Sequence, residues 1–248
     1  MSEPERLVPL AGTYNLRDVG GYRAAGGGTT RWGKLYRSDS LHALTDADVA
    51  ELARRGVKRV IDLRSDDEAD FSPSRLDALD AEIIRNPLLS GPTSDYIARD
   101  AALAELYSDI VEREGDRLIA AIRHIAGSGD DPVIVHCTAG KDRTGLVVAL
   151  ALDLVGVDRA EIIADYAETE KNLPAPLLDQ IVERLRARHV LENPVNLDAL
   201  VRLSPAAELE RVFASIEAQY GSTREYALAH GLTDADVDGL RRALIETH

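Results

Sequence analysis

The strongest pattern in the chain lies between residues 132 and 156. Pro132 to His136 contains Val133, Ile134 and Val135, a short continuous β-branched run. Such a run suits a central parallel strand buried on both faces. A polar loop of ten residues follows, His136 to Gly145, and then Leu146 to Val155 is apolar nearly all round. That last segment predicts a buried helix, ended by Gly156.

The same grammar recurs around it. Thr45 is an N-cap candidate with Asp48 at the third helical position, Val49, Leu52 and Ala53 share one face, and Gly56 ends the helix. Val57 to Leu63 then predicts a strand, and Lys34 to Arg37 and Ile83-Ile84 predict two shorter ones. The glycines in Ala24 to Thr30 read as a loop. Arg64 to Pro92 is otherwise expected as loop, with Asp66, Asp67, Glu68 and Asp70 forming a solvated acidic stretch. Apolar stripes predict helices over Ala101 to Glu112 and Asp116 to Ala126. From Asp158, read with Glu161 as a capping-box-like start, the remainder reads as all helix. Ser204-Pro205, Ser222 and Thr233 open three more helices. These elements predict an α/β fold: a central, mainly parallel sheet of four or five strands flanked by helices, with a helical C-terminal half.

Composition narrows the picture. A chain of 248 residues with 45% hydrophobic residues can bury one sizeable core, and a single domain over 1–248 is expected. Aromatics are only 4%, so that core must rest on Leu, Val, Ile and Ala. The net charge of −14 argues against nucleic-acid binding and against charge-driven docking on anionic membranes. It leaves room for a phosphorylated substrate, because a local cluster of donors attracts phosphate even on an acidic protein. Cys137 is the one cysteine, which excludes an intrachain disulfide and fits a reducing compartment. There is no apolar run long enough for an integral membrane segment.

The chemistry concentrates in the polar loop. A strand, a tight turn and a helix N-terminus make an anion site, because backbone N–H groups and the helix dipole face inward. Cys137 opens the loop and Arg143 lies six residues on. Curling brings thiol and guanidinium round one small anion. A thiol at a helix N-terminus beside cations loses its proton more readily, so Cys137 is a candidate nucleophile near neutral pH. Arg143 offers a planar fork to phosphoryl oxygens. The loop amides from Thr138 to Arg143, those of Ala139, Gly140 and Lys141 among them, would cradle the rest, and Gly140 lets the backbone turn without a side chain. Thr144 can donate its hydroxyl to the sulfur, and His136 is expected to orient the loop. The bland alternative for Cys137 is a small buried hydrophobe.

The run His136-Cys137-Thr138-Ala139-Gly140-Lys141-Asp142-Arg143-Thr144-Gly145 resembles the Cys-x5-Arg phosphate loop of protein tyrosine phosphatases. Within that family it resembles the atypical bacterial branch with tyrosine-, dual-specificity and phosphoinositide-phosphatase activity. Asn15-Leu16-Arg17-Asp18, Leu35-Tyr36-Arg37-Ser38 and Asp62-Leu63-Arg64-Ser65 agree with it. The resemblance implies Cys137 as nucleophile, Arg143 as phosphate ligand and Asp142 as proton donor. It also associates Lys141 with additional anionic groups of the substrate. Asp95 and Asp66 are alternative acids, because Asn86-Pro87-Leu88-Leu89 lacks the aspartate some relatives carry there. Asp142 could instead brace Arg37 or Arg64. Arg64 could bind phosphate or be a surface ion-pair partner, and Asn15 to Asp18 could be turn chemistry. The segment 168–198 could be a helical lid or plain packing.

The implied reaction is hydrolysis of phosphate monoesters through a phosphocysteine, on phosphotyrosine, phosphoserine or phosphothreonine, or phosphoinositides. No cofactor or metal is expected. Phosphate-like oxyanions should inhibit. A non-catalytic reader of phosphorylated ligands would dispense with the nucleophile or the arginine, and both are present. A sulfurtransferase would not need Arg six residues on, followed by Thr. The expected compartment is the cytoplasm, although some relatives of this kind act outside the bacterial cell without an obvious signal.

Overall fold

A computed structural model describes residues 5–89, 96, 102–176, 178, 179, 182, 183 and 201–247. Its centre is a five-stranded sheet made of β1 (Arg17–Asp18), β3 (Leu35–Ser38), β6 (Val133–His136), β4 (Arg59–Asp62) and β5 (Glu82–Arg85), in that order across the sheet. β3, β6, β4 and β5 run parallel, and β1 is antiparallel at one edge. The expected architecture is therefore present.

Side-chain alternation along the central strand divides the core in two. Val133 and Val135 join one cluster, whereas Ile134 joins the other with Tyr36 and Val60. The larger cluster is covered by α3 (Leu103–Arg113), α4 (Gly115–Ala126) and α5 (Asp142–Leu154). The smaller is covered by α1 (Asp46–Arg54), through Val49 and Leu52. Each such side chain contributes about 1.5–3 kcal/mol by leaving water. The period of two is thus held in place by burial on both faces.

Register sets the functional edge. Ser38 and Asp62 both pair with His136, and Arg85 pairs with Asp62. The parallel strands therefore end level with one another, and the turns that follow them converge at one end of the sheet. Thr45 caps α1 in a reciprocal box with Asp48, as expected. Among the described residues, the helical remainder includes α6 (Arg159–Asn172), α7 (Ala206–Tyr220), α8 (Thr223–Ala229) and α9 (Asp234–Leu244).

Four local expectations need correction. Residues 66–71 are not loop: α2 (Asp66–Phe71) forms there, with Ser65 and Glu68 in a capping box. The C-terminal half is not all helix, because β7 (Ile245–Glu246) pairs antiparallel with β2 (Thr29–Thr30). α5 begins at Asp142, four residues before the apolar run, so Arg143 and Thr144 lie on its first turn. Asp158 caps α6 through the amide of Ala160, while Glu161 accepts instead from the amide of Arg23. Most of the segment expected as a lid, including 184–198, lies outside the described residues, as does Asp95. Among the described residues, no helix is long and apolar enough to cross a membrane.

Candidate active site

The loop after β6 carries Cys137 at its base, with only 3% of the residue exposed. Among the described residues, the amides of Thr138, Ala139 and Gly140 find no backbone or side-chain acceptor. Those of Asp142, Arg143 and Thr144 open α5, which has no side-chain cap. Helical donors at such an end are unsatisfied unless an anion or water takes them. Gly140 has φ of 64°, and a Cβ there would overlap the Ser38 carbonyl. The turn that aims the amides inward therefore requires glycine.

The carbonyls of that turn must point outward, and two side chains hold them there. Asn15 Nδ2 donates to Gly140 O at 3.2 Å and to Ala139 O at 3.4 Å. Arg37 Nη2 donates to Gly140 O at 3.0 Å. Arg37 is in turn paired with buried Asp165 at 2.6 Å, and Arg17 pairs with the same carboxylate at 3.0 Å. Burial works against the Asp165 anion, but the two arginines outweigh it and hold the carboxyl well below the usual range. Asn15 to Asp18, read as turn chemistry or as family signature, is thus part of a bracket behind the loop. Asp142 does not brace either arginine considered for it.

Arg143 is buried and already has a partner, one that the sequence reading missed. Its Nη1 and Nη2 donate to the two oxygens of Glu68 at 2.6 and 2.8 Å. Thr138 Oγ1 donates to the same carboxylate at 2.7 Å. Glu68 also accepts from the Ser65 amide at 2.9 Å as its half of the α2 capping box. Burial pushes its pKa up, but these donors more than reverse that and bring it down to about 2. The end of the guanidinium thus faces Glu68, while Nε–H makes no hydrogen bond among the described residues. The edge left for an anion is the one bearing Nε. The Ser65-x-x-Glu68 spacing was the available signal.

The remaining expected residues divide. Asp142 stands on the first turn of α5, where its Oδ1 accepts from Tyr107 Oη at 2.8 Å and lies 3.3 Å from Lys141 Nζ. Tyr107 also bonds Tyr166, whose ring closes over Gly145. Lys141 is buried, with Nζ 2.8 Å from Leu203 O, so its ammonium is turned into the protein. Thr144 Oγ1 is buried without a hydrogen bond, so the expected donation to the sulfur is absent. His136 is fully buried and holds the loop through Nδ1, 3.2 Å from Cys137 O. Burial pushes its pKa down to about 4, against the nearby Asp62.

Arg64, expected to bind phosphate or to pair at the surface, is turned into the protein. It is buried, and its three nitrogens bond Asp62, Ser40, Ser74 and the Ser72 carbonyl. The physical reason lies in the sheet: Asp62 ends β4 inside the protein and needs a cation. Burial alone would raise Asp62, but the hydrogen bonds and charge of Arg64 bring it down to about 2. Asp66 is exposed and pairs with Arg85 at 2.9 Å.

Comparison with known proteins agrees with this geometry. A family model described as "Tyrosine phosphatase family" matches residues 8–246. The chain is 32% identical over 276 aligned residues to the triple specificity protein phosphatase PtpB of Mycobacterium tuberculosis, covering 95% of this chain and 98% of that protein. It is 32% identical over 212 residues to a tyrosine-protein phosphatase of Nostoc commune, covering 83% of this chain and 72% of that protein.

Proposed function

The chain belongs to the tyrosine phosphatase family and is a cysteine-dependent phosphatase; we propose from its geometry how the reaction runs. The observation that carries the proposal is the run of loop amides between Cys137 and Arg143 that has no acceptor among the described residues, together with the Nε edge of Arg143, which has none there either. A phosphoryl dianion seated there meets donors aimed at its oxygens.

The Cys137 thiolate attacks phosphorus, forming the S–P bond as the ester P–O bond breaks. Asp142 gives its proton to the leaving oxygen. Water then attacks phosphorus, its proton passes to Asp142, and the P–S bond breaks to return the thiolate. Asp142 is preferred over Asp66 because it sits on the loop itself, whereas Asp66 is committed to Arg85 outside it. Charge neutralisation falls to Arg143 and the amides, with His136 as a support of the loop and Ala139 and Thr138 as part of its wall.

Phosphotyrosine is the proposed substrate, with phosphoserine, phosphothreonine and phosphoinositides as further monoesters of the same dianion. The cytoplasm is the proposed site of action. Cys137→Ser should abolish hydrolysis of a phosphotyrosyl peptide yet still bind it. Turnover retained by that variant would overturn the covalent mechanism.

A further inference from the structure

The chain contains two phenylalanines. Phe213 is buried in the core, whereas Phe71 is 82% exposed. A single exposed apolar side chain is ordinary. The position of this one is not.

Phe71 closes α2, three residues after Glu68. Residues at that spacing occupy one face of a helix, with Cβ atoms about 5–6 Å apart, and helical side chains lean back toward the N-terminal turn. Glu68 is the residue of α2 that touches Arg143 and Thr138. Thr138 is exposed, so it marks the open side of the loop. Phe71 therefore lies one turn along from Glu68, on the same side of α2 as the residue that reaches the site.

Its place is fixed from behind. Ser72 donates its amide to Glu68 O and offers its carbonyl to Arg64, whose guanidinium is anchored on Asp62. From another side of the loop, Ala139 packs against an apolar cluster of Leu173, Leu178, Val182 and Val201. The surroundings of a polar cradle are thus apolar at two points. An inositol or serine stem would find few partners on such walls. An aryl ring would bury surface and stack on Phe71.

We propose that Phe71 is a specificity-determining residue, receiving the aryl ring of a phosphotyrosine as its phosphate enters the loop and so favouring aryl over alkyl and inositol phosphates. This rests on the phosphatase reading above. The experiment compares wild type, Phe71→Ala and Phe71→Tyr by kcat/KM on a phosphotyrosyl peptide, by competition with the phosphoseryl version of that peptide, and by inhibition with inorganic phosphate. Loss of one stacked ring should lower kcat/KM on the phosphotyrosyl peptide about tenfold in the alanine variant. The inhibition constants of phosphate and of the phosphoseryl peptide should move by less than about twofold, and tyrosine should restore the aryl substrate.

An unchanged kcat/KM in Phe71→Ala would overturn the proposal. A parallel loss of phosphate inhibition would also overturn it, because Phe71 would then act only by holding α2 and Glu68. If wild type turned over no phosphotyrosyl peptide while still binding phosphate, the phosphatase reading would fail first and this one with it.

Discussion

Replacing Glu68 by glutamine isolates the contact on which Arg143 depends. Glutamine keeps the shape, an acceptor for Thr138 and the capping box. It removes the charge that faces a guanidinium with 3% of its side chain exposed. The fall of Glu68 from 4.5 to about 2 corresponds to about 3 kcal/mol of preference for the ionised form in the fold. Leaving a buried cation without its partner costs about 3–5 kcal/mol, and glutamine's remaining acceptor puts the expected loss at about 2–3 kcal/mol. For a chain of this size that lowers Tm by roughly 4–12 °C.

The sign with pH follows. Glu68 is depressed in the fold, so its contribution is complete above about 4.5 and disappears as pH falls toward about 2. Wild type and Glu68→Gln should therefore converge in stability across that window. The assay is thermal unfolding from pH 3 upward, with and without inorganic phosphate. Phosphate supplies the missing anion, so it should raise Tm more in the variant than in wild type. The phosphotyrosyl kcat/KM should fall about 100-fold as the Nε edge loses its alignment. Equal Tm values at pH 7, or a variant as active as wild type, would refute the reasoning.

Two further outcomes follow from the loop. Gly140→Ala forces a Cβ onto the Ser38 carbonyl at a φ of 64°, so phosphate affinity should fall at least about tenfold, read by calorimetry, while the far-UV spectrum is kept. His136 should titrate near 4 rather than 6.5 in an NMR pH series. Because the fold holds it neutral, it contributes stability above 6.5 that declines as pH falls toward 4, and a normal titration would contradict its burial.

The sheet was legible because both faces of its strands are buried, so Val133-Ile134-Val135 and Val60-Ile61 announce themselves without context. The caps at Thr45, Ser222 and Thr233 were legible because each partner lies within one turn. Cys137 and Arg143 were legible for the same reason of proximity along the chain. Glu68 was not, because a capping box among four acids reads equally as a solvated stretch. Its contact with Arg143 spans 75 positions. For Lys141 and Thr144 the sequence gives the position but not the direction of the side chain. Their place in the motif is local, but the direction of a side chain is set by neighbours such as Leu203 that no pattern brings near.

The bracket behind the loop has a consequence for how the enzyme comes into being. Arg17 and Asp165 are 148 positions apart, and Asn15 reaches Gly140 across 125. Closing such long stretches of chain costs entropy that is repaid only once the ends have met. On a ribosome, the nucleophile and its arginine emerge before the carboxylate that locks their scaffold. The sheet can collapse at that stage, but the loop's carbonyls are not yet pinned outward. Catalytic competence therefore waits on α6, and a nascent chain cut short before it would hold Cys137 and Arg143 without the bracket that shapes the loop between them.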